Sequence, residues 1–501
     1  MRNSIKRILS CIITICLTVA LLGKLTDLME RKTSDEKYAD FFKNPECEVF
    51  FMGTSHVING VFPMELWDDY GIVSYNFGGH SSQMATTYWT MENAFDYATP
   101  KVVVIDCLAV SNNWKCSDKF SFLHQSFDAF PTSITKIKAI WDLLDDPYLE
   151  EAIANGNARK SDEPRTKIGL LWDYSVYHSR WKELSQNDFE PKKNLEKGAE
   201  SRIGVIRGKL EKIDPSEKTG LGTVGEEYLR KAIEDCKDRG IEVLLTYLPF
   251  PANEQQQREA NYIYDLAKEY DVNYINFLDM ELINYQTDCY DENHHLNPSG
   301  ARKVTDYLGK YLVENYDIKD NRGNSDYDFW YEDYREYENL KDSNLCKQTS
   351  IVNYLMLLSN EKADIVLDIR NKDLFKNAWI MDLLANIGVN TNQLNENTDF
   401  IIVKKNNNSR SVVILDNFRE NGCVADTDIG KVQLLYDTEG EQQGHFELCV
   451  DGNRYMEGNA KDDTSLQVTV TRDGKVSDRV RFIYTVNPET TNVNVSETKR
   501  D

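Results

Sequence analysis

The sequence predicts an α/β fold, a parallel sheet sandwiched by helices, followed by a separate β-rich C-terminal domain. Three observations carry this. Short apolar runs alternate with segments of helical spacing from about residue 45 to residue 316. One of the runs, Lys101–Leu108 (KVVVIDCL), is almost continuously apolar, as a strand covered on both faces must be. Beyond residue 345 the rhythm changes to many short strand-like runs with Asp-Gly turns.

At 501 residues the chain is too long for one core, and 41% hydrophobic with 11% aromatic residues is enough for two. Lys+Arg 58 against Asp+Glu 82 leaves a net charge of −24, which repels nucleic acid. The ten cysteines form no C-x-x-C pair, so no zinc site is expected; one or two disulfides are compatible with the spacing.

The first residues carry Arg2, Lys6 and Arg7, and an uncharged run follows from Ile8 to Gly23. With snorkelling of Lys24 it suits a membrane anchor over residues 1–27. No small-x-small cleavage pattern follows it. The basic flank predicts a single-pass protein with a cytoplasmic N-terminus and an extracytoplasmic bulk. Residues 28–44 are polar and read as a stalk.

The α/β domain is expected over 45–316. Cys47–Met52 reads as the first strand and Pro63–Tyr70 as a short helix with proline in its first turn. Ile72–Phe77 is the second strand, ended by Gly78-Gly79, and Ser81–Ala98 has helical spacing through Met84, Tyr88, Met91 and Phe95. After Lys101–Leu108 the pattern breaks into an insertion over about 112–220, with helical stretches Ile134–Leu144 and Thr166–Leu184. It resumes with helix Gly225–Asp238, strand Ile241–Leu248, helix Glu254–Tyr270, strand Val272–Phe277 and helix Ala301–Tyr316. The acidic, tyrosine-rich stretch 317–345 reads as a linker. The accessory domain, 346–487, is expected to hold helices Ile351–Asn360 and Leu374–Ile387. Its strands are Ile365–Ile369, Phe400–Lys404, Ser411–Leu415, Val432–Tyr436, Phe446–Val450, Ser465–Thr471 and Val480–Val486. The tail, 488–501, is polar and expected to be loose.

Chemistry concentrates in two stretches. Phe50-Phe51-Met52-Gly53-Thr54-Ser55-His56 places Ser55 at the carboxyl end of the first strand, the edge at which open α/β sheets bind ligands. A serine there is a candidate nucleophile if a histidine takes its proton. Tyr290-Asp291-Glu292-Asn293-His294-His295-Leu296-Asn297-Pro298-Ser299-Gly300 supplies one, with Asp291 to orient the ring. Backbone N–H groups of Ser55, Gly78 and Gly79 are the expected oxyanion donors. His56, Asn76, Arg180 and Trp181 are candidate substrate-binding residues, the last two because arginine and aromatics line sugar clefts. His56, His80, His294 and Asp291 lack the spacing of a metal motif, and no metal or cofactor is expected.

These residues resemble the SGNH/GDSL hydrolase superfamily. Gly53-Thr54-Ser55 matches its first block, Asn76-Phe77-Gly78-Gly79 its second, and Asp291-Glu292-Asn293-His294 its last, over roughly residues 45–315. The third block, Gly-x-Asn-Asp, has no counterpart; Ser111-Asn112-Asn113 stands in its place. Asp-x-x-His spacing selects His294, whereas counting back from Gly300 selects His295. We favour His295, because Leu-Asn-Pro-Ser-Gly fixes the approach to the helix. The resemblance implies a flavodoxin-like SGNH sheet. It is nearest to the membrane-anchored branch that includes the D-alanyl-lipoteichoic acid biosynthesis protein and the glycan O-acetyl transferases and esterases. The implied activity is esterase or O-acyltransferase chemistry on acetyl groups of a cell-surface glycan, with a membrane acyl-donor protein as partner in the transfer case. The alternative is a non-catalytic binding protein on the same scaffold.

Overall fold

The structure, a computed structural model, describes residues 2–29, 32–161, 165–172, 174–190, 193–394, 400–405, 411–416, 423–427, 430–437, 444–459 and 465–500. The chain divides into two compact units. The first is Met1–Glu200, Glu211–Met280 and Thr305–Trp330; the second is Ser201–Leu210, Glu281–Val304 and Tyr331–Asp501. Segments 201–210 and 281–304, read from sequence as part of the α/β domain, therefore cluster with the C-terminal half. Ile203 and Val205 pack on that unit's core, and Trp379 Nε1 donates to Gln286 O.

The first unit opens with α1 (Arg2–Met29). Its stretch Ile5–Thr26, 22 residues with mean hydropathy 2.3, is long and apolar enough to cross a membrane, and is the one such helix among the described residues. The expected stalk is instead the end of α1 and a second helix, α2 (Lys32–Lys43), with residues 30 and 31 outside the described residues. Tyr38 and Phe41 are fully buried. Their rings pack on Phe77, at 5.6 Å and 4.9 Å. Two apolar residues on one turn were too few to stand out as a helical period.

The sheet is built from β1 (Val49–Met52), β2 (Ser74–Asn76), β3 (Val102–Asp106), β4 (Glu242–Tyr247) and β5 (Asn273–Asn276). All pairings are parallel and the order is β2-β1-β3-β4-β5. The chain order thus reverses between β1 and β3. Every residue of β1 and β3 is buried, which accounts for their continuous apolar runs. Helices α3 (Ser55–Gly60), α4 (Pro63–Tyr70) and α5 (Met84–Phe95) follow the first two strands. The insertion carries α6 (Phe120–Phe127), α7 (Ile134–Leu143), α8 (Pro147–Ala154), α9 (Lys167–Leu171) and α10 (Tyr174–Tyr177). The helical stretch expected over Thr166–Leu184 is broken. Trp172 is extended at φ −145, residue 173 lies outside the described residues, and His178–Lys182 is a 3-10 turn. The sheet's remaining helices are α11 (Val224–Asp238), capped by Thr223, and α12 (Glu254–Tyr270), which starts with an Asn253/Gln256 capping box.

In the second unit α13 (Pro298–Asn315) contributes its first turns. It is followed by α14 (Asp328–Cys346), α15 (Ile351–Leu358), β6 (Asp364–Ile369), α16 (Ala378–Ile387), β7 (Phe400–Lys405), β8 (Ser411–Asp416), β9 (Cys423–Thr427), β10 (Gly430–Tyr436), β11 (His445–Val450), β12 (Asn453–Asn459), β13 (Ser465–Arg472), β14 (Lys475–Val486) and β15 (Val493–Arg500). A sheet of order β15-β14-β13-β6-β7-β8 and a second of order β12-β11-β10-β9 are both antiparallel. Alternation along β6 makes both faces apolar. Ile365, Leu367 and Ile369 share a core with Tyr354, Leu355, Leu383 and Leu384. Val366 belongs instead to the cluster of Ile401, Val432, Phe446 and Leu448 between the sheets. Two expectations are corrected. Most of the linker 317–345 is α14, with Trp330 and Tyr337 buried on it. The tail forms β15, paired with β14 from Val493 to Arg500. The nine cysteines whose side chains are described are free thiols.

Candidate active site

The Ser55 stretch grows from β1. The strand is buried to Met52 and the chain then turns at Gly53, whose φ of +152 excludes other residues without strain. A Cβ there would sit 2.7 Å from Val57 Cγ2 and 2.9 Å from Asp106 Cβ. The turn leads at once into α3. Thr54 caps it, its hydroxyl accepting from His56 N at 3.2 Å and its carbonyl from Val57 N at 3.1 Å. Ser55 therefore occupies the first helical position, half-buried, at the carboxyl edge beside the β1/β3 switch point. His56 is buried with its ring 5.0 Å from that of Phe250.

The second block packs onto this turn, with a consequence for the expected oxyanion donors. Gly78 N–H donates to Asn76 Oδ1 at 3.0 Å and Gly79 N–H to Gly53 O at 2.9 Å. Both donors are thus committed within the fold, which removes them from the oxyanion role in this conformation. Asn76 is likewise no substrate ligand as placed. It is fully buried, and its amide donates to Val57 O at 2.7 Å and Val61 O at 2.9 Å. It staples α3 to the second-block turn. A Cβ at Gly78 would lie 2.7 Å from Thr54 O, so the two turns need glycine to approach this closely.

The second stretch that the sequence singles out, with Asp291, His294 and His295, belongs to the second unit. Asp288–Asn297 folds back on itself: Tyr290 N donates to His295 O at 2.7 Å and Asn297 N to Asp288 O at 3.0 Å. Asp288 is anchored by Lys303 at 2.7 Å and by the Ser299 hydroxyl at 2.9 Å, and the Asn297 amide donates to Gly204 O and Thr287 O. At the tip, His295 Nδ1 lies 3.0 and 2.9 Å from the two oxygens of Asp291. His295 N–H donates to Asp291 Oδ1 at 3.1 Å. With its proton on Nδ1, the ring keeps Nε2 as the basic nitrogen. Partial burial works to raise the Asp291 pKa, but hydrogen bonds and charge from His295, with Asn293 N–H, hold it below the usual carboxylate range. His294 adopts φ +57, and its N–H donates to Asp291 O at 2.8 Å. That left-handed residue is what carries the chain round so that His295 meets the carboxylate.

No protein-family model and no curated protein matches this chain.

Arg180 donates to Met29 O, the end of α1, at 3.1 Å and to Asp188 at 2.5 Å, so it ties the insertion to α1. Trp181 is 61% exposed. Asn113, in place of the missing third block, accepts from Val224 N at 3.1 Å, at the entry to α11. His80 contacts Glu200 at 3.4 Å.

Two residues around Ser55 escaped the sequence reading. Asp106 ends β3, buried, with Oδ1 accepting from Leu248 N at 2.9 Å and Oδ2 unpartnered. Burial pushes its pKa up to about 7 against the pull of the Leu248 and Leu108 N–H groups. An acid at the end of an otherwise apolar strand was the available signal. Lys37 of α2 is buried and donates Nζ to Gly78 O. Burial brings its pKa down to about 8, opposed by Glu200. Nothing in its charged surroundings marked it out. Among the described residues the one group with metal-ligand geometry is His445, Glu447 and Glu457, on the β11–β12 hairpin, where Arg454 already pairs with both glutamates.

Proposed function

We propose that the chain is a membrane-anchored, extracytoplasmic serine esterase or O-acyltransferase of the SGNH type. Its substrate is an acyl group, in the simplest case acetyl, on a cell-surface glycan. The observation that carries this reading is the hydrogen-bonded Asp291–His295 pair, a preformed base of the kind a serine nucleophile needs. Ser55, on the turn after β1 at the switch point of a 2-1-3-4-5 sheet, supports it. In the proposed cycle Ser55 Oγ attacks the acyl carbon while its proton passes to His295 Nε2. The sugar oxygen leaves with that proton, and water or a second hydroxyl then attacks the acyl-enzyme, giving esterase or transferase. A membrane acyl-donor protein belongs to the transferase branch. The apolar helix α1 is read as the anchor, with the N-terminus cytoplasmic.

The commitment of the Gly78 and Gly79 N–H groups favours the second reading, a non-catalytic binding protein on this scaffold. Hydrolysis of a chromogenic acetyl ester by wild type against Ser55→Ala separates the two. The enzyme reading predicts turnover lost with Ser55; equal rates support the binding protein.

A further inference from the structure

Of the chain's eight tryptophans, three are exposed, Trp141, Trp172 and Trp181, and all three lie in the insertion. Among the described residues every exposed isoleucine and tryptophan lies either on α1 or in the insertion. Scattered exposed apolar residues are ordinary, but a concentration beside an apolar helix is not. On α7, Ile134, Ile137 and Trp141 stand at helical spacing on the face opposite the buried Ala139, Ile140 and Leu143, and Ile134 is 75% exposed. On α9, Ile168 is 66% exposed. The two helices adjoin: Lys167 Nζ stands 4.7 Å over the Trp141 ring. Lys182 similarly covers Trp181, at 5.7 Å. Aromatic rings paired with lysine are suited to the boundary between headgroups and acyl chains.

The relation to α1 gives the depth. Val19, Leu22, Gly23 and Thr26 of α1 face Pro131, Thr132, Leu171 and Trp172 across a cavity of about 420 Å³, whose two charged lining residues are held within the fold, Asp128 by His124 and Lys136 by the Asp128 and Phe130 carbonyls. Seven residues separate Val19 from Thr26, about 10 Å along the helix axis at its usual rise. All four belong to the stretch apolar enough to span a bilayer, which is unburied by the rest of the protein. If that stretch is in the membrane, the parts of the insertion level with it are too. Amphipathic surfaces of this kind sink roughly 5–10 Å into the headgroup and acyl boundary.

We infer that the insertion is a second membrane contact: its Ile134–Ile137–Trp141 and Ile168–Trp172 face lies in the phospholipid interface around α1, and the cavity beside α1 is closed by lipid chains. The unit bearing Ser55 is then held down on the bilayer rather than swinging from a tether. The inference rests on α1 as a membrane span and is independent of the Ser55 chemistry.

The test uses the full chain in phosphatidylcholine/phosphatidylglycerol nanodiscs, with acyl chains brominated near the headgroup or unbrominated. Because α1 contains no tryptophan, bromine quenching of tryptophan emission reports on the rest of the protein. Wild type should be quenched, and Trp141→Phe/Trp172→Phe/Trp181→Phe should lose most of that quenching. Ile134→Asp/Ile168→Asp, at exposed positions that keep every tryptophan, should reduce it with circular dichroism unchanged. Incorporation without quenching, or quenching that survives the triple substitution, overturns the inference alone. A chain that does not enter bilayers at all overturns it together with the anchor.

Discussion

His295 holds Nδ1 at 2.9 Å from Asp291 Oδ2, while its neighbour His294 gives Asp291 only a backbone N–H. The two histidines are adjacent, yet the left-handed conformation at His294 aims them differently. On the proposed serine chemistry, His295→Ala should lower kcat/KM for an acetyl ester by roughly 10³-fold or more, the cost expected for loss of a general base. His294→Ala should stay within about 3-fold, a side chain not oriented by the carboxylate having little to lose. Asp291→Asn should fall between them. Initial rates on the three variants decide it, and a dead His294→Ala beside an active His295→Ala reverses the assignment.

Much of the fold was legible in the sequence. The parallel strands stood out because burial on both faces left β1 and β3 without polar interruptions, and Pro298-Ser299-Gly300 marked the helix that follows His295. What escaped depends on partners distant in the chain. β15 reads as polar because its strand lies at a sheet edge with alternate residues exposed. α2 hides Tyr38 and Phe41 among charges, and α14 hides Trp330 and Tyr337 in an acidic stretch. The commitment of Gly78 and Gly79 was invisible because it is set by Asn76 Oδ1 and Gly53 O, not by the glycines themselves.

Asp106 should make stability fall with rising pH. Its folded pKa of about 7 lies above the ordinary carboxylate value, so between about pH 4 and 7 the folded state binds the extra proton. The penalty is absent below about 4, grows through that window and is complete above 7. Asp106→Asn should remove it, gaining up to about 4 kcal/mol above pH 7 relative to acid conditions. Urea melts of both proteins from pH 5 to 9 measure the difference; parallel curves would show that Asp106 ionises freely.

Lys37 couples α2 to the turn that bears Gly78. Its folded pKa of about 8 lies below the ordinary lysine value, so the cost of holding it charged is full below pH 8 and is relieved as pH rises towards 10.5. Wild type should gain stability over Lys37→Met across that interval. Releasing the Gly78 carbonyl should also loosen the support of Ser55, cutting kcat by about 10-fold with KM little changed. An unaltered kcat would separate α2 from the site.

Buried Glu361 gathers three cations in the second unit: Arg302 at 2.5 Å, Arg472 at 2.8 Å and Lys341 at 3.2 Å. Burial opposes its ionisation, but Arg302, Arg472 and Lys341 together hold its pKa well below the usual range. Glu361→Gln removes the carboxylate common to all three cations, Asp342 still pairing with Arg472, and should cost about 3–5 kcal/mol by chemical denaturation. A loss under about 1 kcal/mol would mean that water already screens the cluster.

The central claim is that Ser55 is a nucleophile activated by His295. A fluorophosphonate bonds to a serine only when its hydroxyl is activated, and peptide mass spectrometry reads out where it has bonded. Full-length protein treated with the probe at neutral pH should carry one adduct, on the peptide containing Ser55. The adduct should be absent from Ser55→Ala, strongly slowed in His295→Ala and retained in His294→Ala. No adduct on a folded wild-type protein, or labelling of Ser55 at the same rate without His295, contradicts the account.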